Sequence, residues 1–316
     1  MRPDYSMSTY RLHLSLCLSA FLLASVLCAF DVKADDGNEF KVDRLDFAVT
    51  LSDGNTYTIA GFLYYRGSFR NRPLQVLVHG GTYNHKYWDV PTINGQSYSY
   101  ARFMAEQGYA LLAIDQLGTG DSSKPNGDFV TLNETALSLH QVLVQMRGGN
   151  NPLGHAFDRI VLVGHSFGSI NAILVQGTYH DADALVVTAL GHVPHQLPIP
   201  PELLAALAQT PYFELPPEVR SLLFYHPPEA DPDVIAYDNL NLADKLTRGQ
   251  LFTTFLAIFN PAIDHVGDVT GPVLIQLGPD FGPAELPALA NLLPKLPRDI
   301  RFAASRNSIA AQAIVW

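Results

Sequence analysis

Residues 159–168 read Arg159-Ile160-Val161-Leu162-Val163-Gly164-His165-Ser166-Phe167-Gly168. The apolar, β-branched run before Gly164 has the composition of a buried strand, and Phe167 to Gln176 continues as a helix-forming run. A serine between two glycines at a strand-to-helix junction is the setting of a nucleophile elbow. Such a turn is tight. The glycines leave room where side chains would collide, and Ser166 is lifted out at the strand end. A bare Gly-x-Ser-x-Gly string is weak evidence. The strand before it and the helix after it make it specific.

Working outward, Phe47 to Ser52 and Tyr57 to Tyr65 read as two strands joined by Asp53-Gly54-Asn55, a hairpin signal. Leu74 to Val78 is a buried strand entering His79-Gly80-Gly81. Tyr98 to Gln107 is a helix stopped by Gly108, and Tyr109 to Ile114 is the next strand, ending at Asp115. Thr131 to Met146 has the spacing of an amphipathic helix. Ala184 to Leu190, Val273 to Leu277 and Ile300 to Ala303 are further strands. An opening hairpin followed by apolar strands alternating with helices predicts an α/β fold with a mostly parallel, doubly wound sheet. Ligand sites in such sheets lie at the carboxyl ends of the strands. His79-Gly80-Gly81, Asp115, Ser166, Gly191-His192 and Gly278-Pro279-Asp280 all fall at that edge.

Residues 194–232 break the rhythm with ten of the chain's 22 prolines and a short helix, Glu202 to Gln209. The expected organisation is a leader over 1–34, a first core segment over 35–193, a lid insertion over 194–265 and a second core segment over 266–316.

His79-Gly80-Gly81, Asp115-Gln116-Leu117-Gly118-Thr119-Gly120-Asp121-Ser122 and Gly164-His165-Ser166-Phe167-Gly168 match in order and spacing the motifs of the α/β-hydrolase superfamily, which the chain resembles from about residue 45 to residue 304. Thr82 to Asp89 looks like the loop of a secreted or natural-product-associated branch. The resemblance implies an α/β-hydrolase fold with a lid and a cofactor-independent serine hydrolase acting on an ester, lactone or thioester of a moderately hydrophobic small molecule. It assigns Ser166 as nucleophile. Backbone N–H donors to the oxyanion would come from Phe167 and from Gly81, with Thr82 next in line. Asp280 takes the place of the carboxylate that orients the catalytic imidazole. His79 shapes the loop, His165 faces the sheet, and Asp115 belongs to a structural turn.

The general base is where the chain departs from the pattern. The superfamily places its histidine after the last strand, and no histidine follows His265 here. Three readings stand. The C-terminus is shortened or altered, or a substitute histidine acts, with His192 at the correct sheet edge and His195 near it. Alternatively, the fold has given up hydrolysis and serves binding or natural-product tailoring such as cyclisation or release.

Bulk properties narrow the partners. A net charge of −10 argues against nucleic acid, which needs a basic face. Arg2 and Arg11 precede a nearly uninterrupted apolar stretch from Leu12 to Phe30, and Val32-Lys33-Ala34 supplies small residues for cleavage. This reads as a secretory signal peptide ending at Ala34, with a single N-terminal membrane anchor as the alternative and no stable membrane association after cleavage. Cys17 and Cys28 both lie within it, so the mature chain is expected to carry no disulfide. Asn133-Glu134-Thr135 is an N-glycosylation sequon. No metal-ligand spacing, P-loop or dinucleotide fingerprint is present, so neither a metal nor a cofactor is expected.

Overall fold

The structure, a computed structural model, describes residues 39–190, 208–225 and 229–277, with residues 202, 205 and 206. Expectations for the leader, His192, His195, Asp280 and the Ile300–Ala303 strand fall outside these residues. The described strands begin with the hairpin β1 (Phe40–Thr50) and β2 (Thr56–Arg66), followed by β3 (Leu74–Val78), a small second hairpin β4 (Val90–Ile93) and β5 (Gln96–Tyr98), and β6 (Ala110–Ile114). Next come β7 (Ile160–His165), β8 (Ala184–Thr188), β9 (Tyr212–Phe213), β10 (Leu246–Thr247) and β11 (Val273–Gln276). The helices are α1 (Tyr100–Glu106), α2 (Leu132–Gly148), α3 (Phe167–Tyr179), α4 (Pro217–Phe224), α5 (Pro232–Tyr237) and α6 (Arg248–Phe259).

Among the described residues, seven strands form the central sheet in the order β1-β2-β6-β3-β7-β8-β11. β2 pairs antiparallel with both β1 and β6, and β6-β3-β7-β8-β11 are parallel. This is the α/β-hydrolase architecture expected. The strands alternate between two apolar faces, because successive side chains point to opposite sides. Leu74, Val76 and Val78 of β3 join Leu112, Leu162 and Ile275 in the larger core, covered by Leu139 and Val142 of α2 and Ile170 and Ile173 of α3. Leu77, Leu111, Ala113 and Val163 face the other way, against Ala101 and Ala105 of α1. Burial on both faces is what makes parallel strands read as uninterrupted apolar runs.

Two elements differ from expectation. β1 begins at Phe40, not Phe47, since the extra residues alternate Lys41, Asp43 and Arg44 with apolar ones on a half-solvated edge strand and so lack a continuous apolar signal. The helix expected from Tyr98 starts at Tyr100. Ser99 caps it by accepting the Arg102 N–H at 3.0 Å, and Tyr98 ends the β4–β5 hairpin. Asn94-Gly95, at φ 50° and 79°, makes that turn. The Asn-Gly pair was the available signal for it.

Candidate active site

β7 delivers Ser166 to the carboxyl edge of the sheet. Its register fixes the geometry, with Val78 opposite both Ile114 and Gly164, and His165 opposite Thr188. Ser166 has φ 51° and ψ −120°, a conformation that an L-residue holds only when its surroundings enforce it. They do. A Cβ at Gly164 would lie 2.5 Å from the Gly168 carbonyl oxygen, and one at Gly168 would drive into the carbonyl oxygens of Val78 and His79. The Ser166 N–H donates to Thr188 O at 3.0 Å, tying the turn to β8. Ser169 Oγ donates to the same carbonyl at 2.9 Å.

The backbone after β3 lies against this turn. A Cβ at Gly80 would sit 3.2 Å from Ser166 Cβ, and one at Gly81 would sit 3.1 Å from Phe167 Cδ2. A side chain at either position would press on the elbow, and its neighbour would have to give by a few tenths of an ångström. Phe167 opens α3, and N–H groups in the first helical turn have no acceptor within the helix and carry the positive end of its dipole. The Gly80 backbone therefore lies against Ser166 and the Gly81 backbone against Phe167.

Buried polar groups lock this loop. Asn171 of α3 donates to Gln116 Oε1 at 2.8 Å, and Gln116 Nε2 donates to His79 O at 2.7 Å. His79 Nε2 accepts the Gln116 N–H at 3.2 Å, so its Nδ1–H donates to Gly80 O at 2.8 Å. Thr188 Oγ1 donates to Gly164 O at 3.0 Å and accepts from His165 Nδ1 at 3.0 Å, while the His165 ring stacks on Tyr87. Burial pushes both imidazoles down, His165 to about 3, so both are neutral braces. Burial alone would raise the Asp115 carboxyl. The His85 side chain and N–H and the Asp121 N–H hold it below the usual carboxylate range.

His85 and Asp115 form a pair 2.8 Å apart that looks like half of a triad. It is in the wrong place. Asp115 follows β6, two strands from β7, which puts its backbone roughly 10 Å from the elbow. The His85 ring is turned onto Phe62 of β2, stacked at 3.4 Å. The other described histidines are engaged elsewhere, His140 with Asp181, His155 with Arg70, His180 with Thr270 and His265 with Asp268. Among the described residues, no histidine hydrogen-bonds to Ser166 Oγ. His192 and Asp280, the expected base and acid, lie outside the described residues. Among the described residues, no group of three or more His, Cys, Asp or Glu side chains could share a metal ion, and no helix is long and apolar enough to cross a membrane.

Above the elbow, Phe167 packs with Phe213, Leu246, Leu251 and Phe255 in a small separate core, its ring edge-on to Phe255 at 5.6 Å. The second surprise is Arg220 of α4, which sequence reading passed over. It is 1% exposed and reaches the loop after β3, donating from Nη1 to Thr82 O at 3.1 Å and to Thr82 Oγ1 at 2.7 Å. A cavity of about 400 Å³ lies nearby, on the α1 face of the sheet and under α4 and α5, lined by Tyr87, Trp88, Val163, Thr188 and Tyr225 among others. Ser166 is not among its described lining residues.

Comparison with known proteins agrees with this fold. The sequence profile of the alpha/beta hydrolase family matches residues 75–308. No curated protein is significantly similar in sequence. Solved structures share the fold at low identity. A monoacylglycerol lipase of Paleococcus ferrophilus is 18% identical with a TM-score of 0.54, over 84% of this chain and 88% of its own. The peroxisomal alpha-beta-hydrolase Lpx1 of Saccharomyces cerevisiae is 16% identical with a TM-score of 0.53, over 87% and 84%. The bottromycin epimerase BotH, solved with bottromycin A2, is 18% identical with a TM-score of 0.52, over 85% and 94%. At these identities the likeness establishes the fold alone.

Proposed function

The chain belongs to the alpha/beta hydrolase family, and on that premise we propose that it is a serine hydrolase acting on an ester, lactone or thioester of a moderately hydrophobic small molecule. The observation that carries this reading is the strained Ser166, at φ 51°, set against the bare backbone of Gly80 and Gly81. Ser166 Oγ attacks the acyl carbon, the carbonyl electron pair moves onto its oxygen, and the hydroxyl proton passes to the base. The Phe167 and Gly81 N–H groups, with Thr82 as the alternative loop donor, receive that oxyanion. Collapse expels the leaving group with the proton, and water then releases the acyl group by the same steps. We assign the base to His192 and the orienting carboxylate to Asp280. The apolar packing around Phe167 supports a hydrophobic acyl group.

A fluorophosphonate probe tests the reading. Labelling of Ser166 in the mature protein, lost in Ser166→Ala, is the expected result. An unlabelled wild type beside a labelled control overturns it. His192→Ala reduces labelling sharply if His192 is the base, and unchanged labelling removes it from that role. A second reading, a binding or natural-product-tailoring protein without hydrolysis, rests on the absence of a histidine at Ser166 Oγ among the described residues. It fails if Ser166→Ala abolishes a measured turnover.

The leader supports export with cleavage after Ala34, and mass analysis of protein from the medium checks for a chain beginning at Asp35. Asn133 is exposed in the first turn of α2, open to an N-glycan in a host that adds one.

A further inference from the structure

We propose that Arg220 is a positioning residue, through which the cap helix α4 holds the backbone of the oxyanion loop in its receptive geometry. The inference rests on the reading of Ser166 as nucleophile and of Gly81–Thr82 as the loop that serves its oxyanion. Thr82 is the observation that demands an explanation. It is β-branched, 2% exposed and at φ 66°, in the left-handed region that such residues avoid. Strain of this kind persists only where several contacts impose it, and it gathers at working sites.

Three hydrogen bonds impose it here. Arg220 Nη1 reaches both the carbonyl and the hydroxyl of Thr82, and the Asp244 N–H donates to the same carbonyl at 2.8 Å. The Thr82 carbonyl belongs to the peptide plane joining Thr82 to Tyr83, so that plane and the Thr82 side chain are held together, and the plane arriving from Gly81 can turn only about the Thr82 N–Cα bond. On the proposed reading, the planes before Thr82 carry the N–H groups that serve Ser166.

Arg220 is itself fixed on every side. Its Nη2 donates to Asp238 Oδ1 at 2.7 Å and its Nε to Asn239 Oδ1 at 3.3 Å. Its guanidinium lies over the rings of Tyr83 at 4.7 Å and Phe224 at 5.2 Å. Tyr83 Oη donates to the other Asp238 oxygen at 3.2 Å. A planar fork with five donors suits this site, and the point charge of a lysine does not. Asp244 extends the clamp, accepting from Asn84 Nδ2 at 2.9 Å and from the Gly120 N–H at 2.8 Å. Cap and loop therefore share one buried polar network, and movement of α4 would be felt at the oxyanion donors.

The test measures the rate constant and the half-saturating concentration of fluorophosphonate labelling at Ser166. Arg220→Met is expected to lower the rate constant about 10²-fold, the scale of one misplaced oxyanion donor, while the half-saturating concentration moves less than about threefold. Arg220→Lys falls nearly as far. Because Arg220→Met strands a buried carboxylate, Arg220→Met/Asp238→Asn is measured beside it as the variant expected to stay folded. Thr82→Gly in either background should restore about tenfold, since glycine holds φ 66° without a clamp. A purely structural role would change the folded fraction and leave both the rate constant and the rescue flat. A folded double variant labelling at the wild-type rate overturns the proposal and leaves the hydrolase reading standing. An unlabelled wild type overturns both.

Discussion

The Ser166 side of the candidate site is held by backbone packed on backbone, whereas the α4 side is held by side chains reaching across the fold. Around Ser166 the determining contacts are backbone atoms meeting at Gly164 and Gly168, while Gly80 and Gly81 leave room for the side chains of His165, Ser166 and Phe167. Around Thr82 they are the guanidinium of Arg220 and its buried partner Asp238. A backbone-built site depends on local sequence and tolerates no added atoms. A clamp built from side chains depends on distant residues, and its failure should degrade geometry before it destroys the fold.

The largest expected effect breaks the nucleophile side outright. Ser166→Ala should abolish probe labelling and lower any turnover by about 10⁶-fold. The protein should stay folded, because Ser166 makes its tie to β8 through its N–H. Residual turnover near the wild-type level would mean that the elbow is not the reactive centre.

Next in size is the cost of opening the cap side. Arg220→Met should destabilise by about 3–5 kcal/mol, mostly through the stranded Asp238 carboxylate, and Arg220→Met/Asp238→Asn should recover a good part of that. Denaturant titration separates the two. Equal losses in single and double variants would show that the charge pair is not what anchors the clamp. Gly168→Ala makes the opposite comparison. It changes no charge, but its Cβ meets the carbonyl oxygens of Val78 and His79, and about 3 kcal/mol or more should be lost together with labelling.

These two regions were not equally legible in sequence. The elbow and the strands were, because their physics is local. Apolar runs buried on both faces identify β3, β6 and β7, and the glycines of residues 164–168 are dictated by contacts within the same turn or the adjoining strand end. Arg220 was not. It sits in a proline-rich stretch where a lone arginine reads as solvated surface, and its partner Thr82 is 138 residues away. Nothing in the residues around Thr82 announces a left-handed threonine, since that conformation exists only once Arg220 and Asp244 arrive. The β4–β5 hairpin was legible at Asn94-Gly95 and was masked by the helix pattern that follows it.

Acidification probes the buried braces shared by both regions. His165, held near 3 by burial, stays neutral in the native state, whereas its unfolded counterpart takes a proton below about 6.5. The unfolded chain then binds more protons, so stability is full above that value and is lost as pH falls from about 6.5 toward 3. The loss is ~2 kcal/mol at about pH 5. His79, also pushed down by burial, adds in the same direction. Asp115 joins only at lower pH. Its depressed carboxyl contributes stability above the ordinary carboxylate range, and that is lost as pH falls through its folded value. Urea midpoints at about pH 7.5 and pH 5 should show the drop. A flat profile would require a charged or solvent-reached His165.

The smallest effect isolates backbone conformation from packing. Gly95 turns the β4–β5 hairpin at φ 79°, and a Cβ there would meet nothing within 4 Å. Its substitution therefore costs only the left-handed conformation of an L-residue, about 1 kcal/mol. Gly168 lacks a positive φ and is forbidden a Cβ purely by crowding. Gly95→Ala should consequently lower the thermal midpoint slightly and leave labelling of Ser166 unchanged. The hairpin does reach the cap, since Asn94 Nδ2 donates to Asp231 at 3.0 Å and to Asp233 at 2.8 Å beside α5. If Gly95→Ala slowed labelling by as much as Arg220→Met, the oxyanion loop would be answering to any disturbance of the cap, and the specific place of Arg220 in holding Thr82 would be lost.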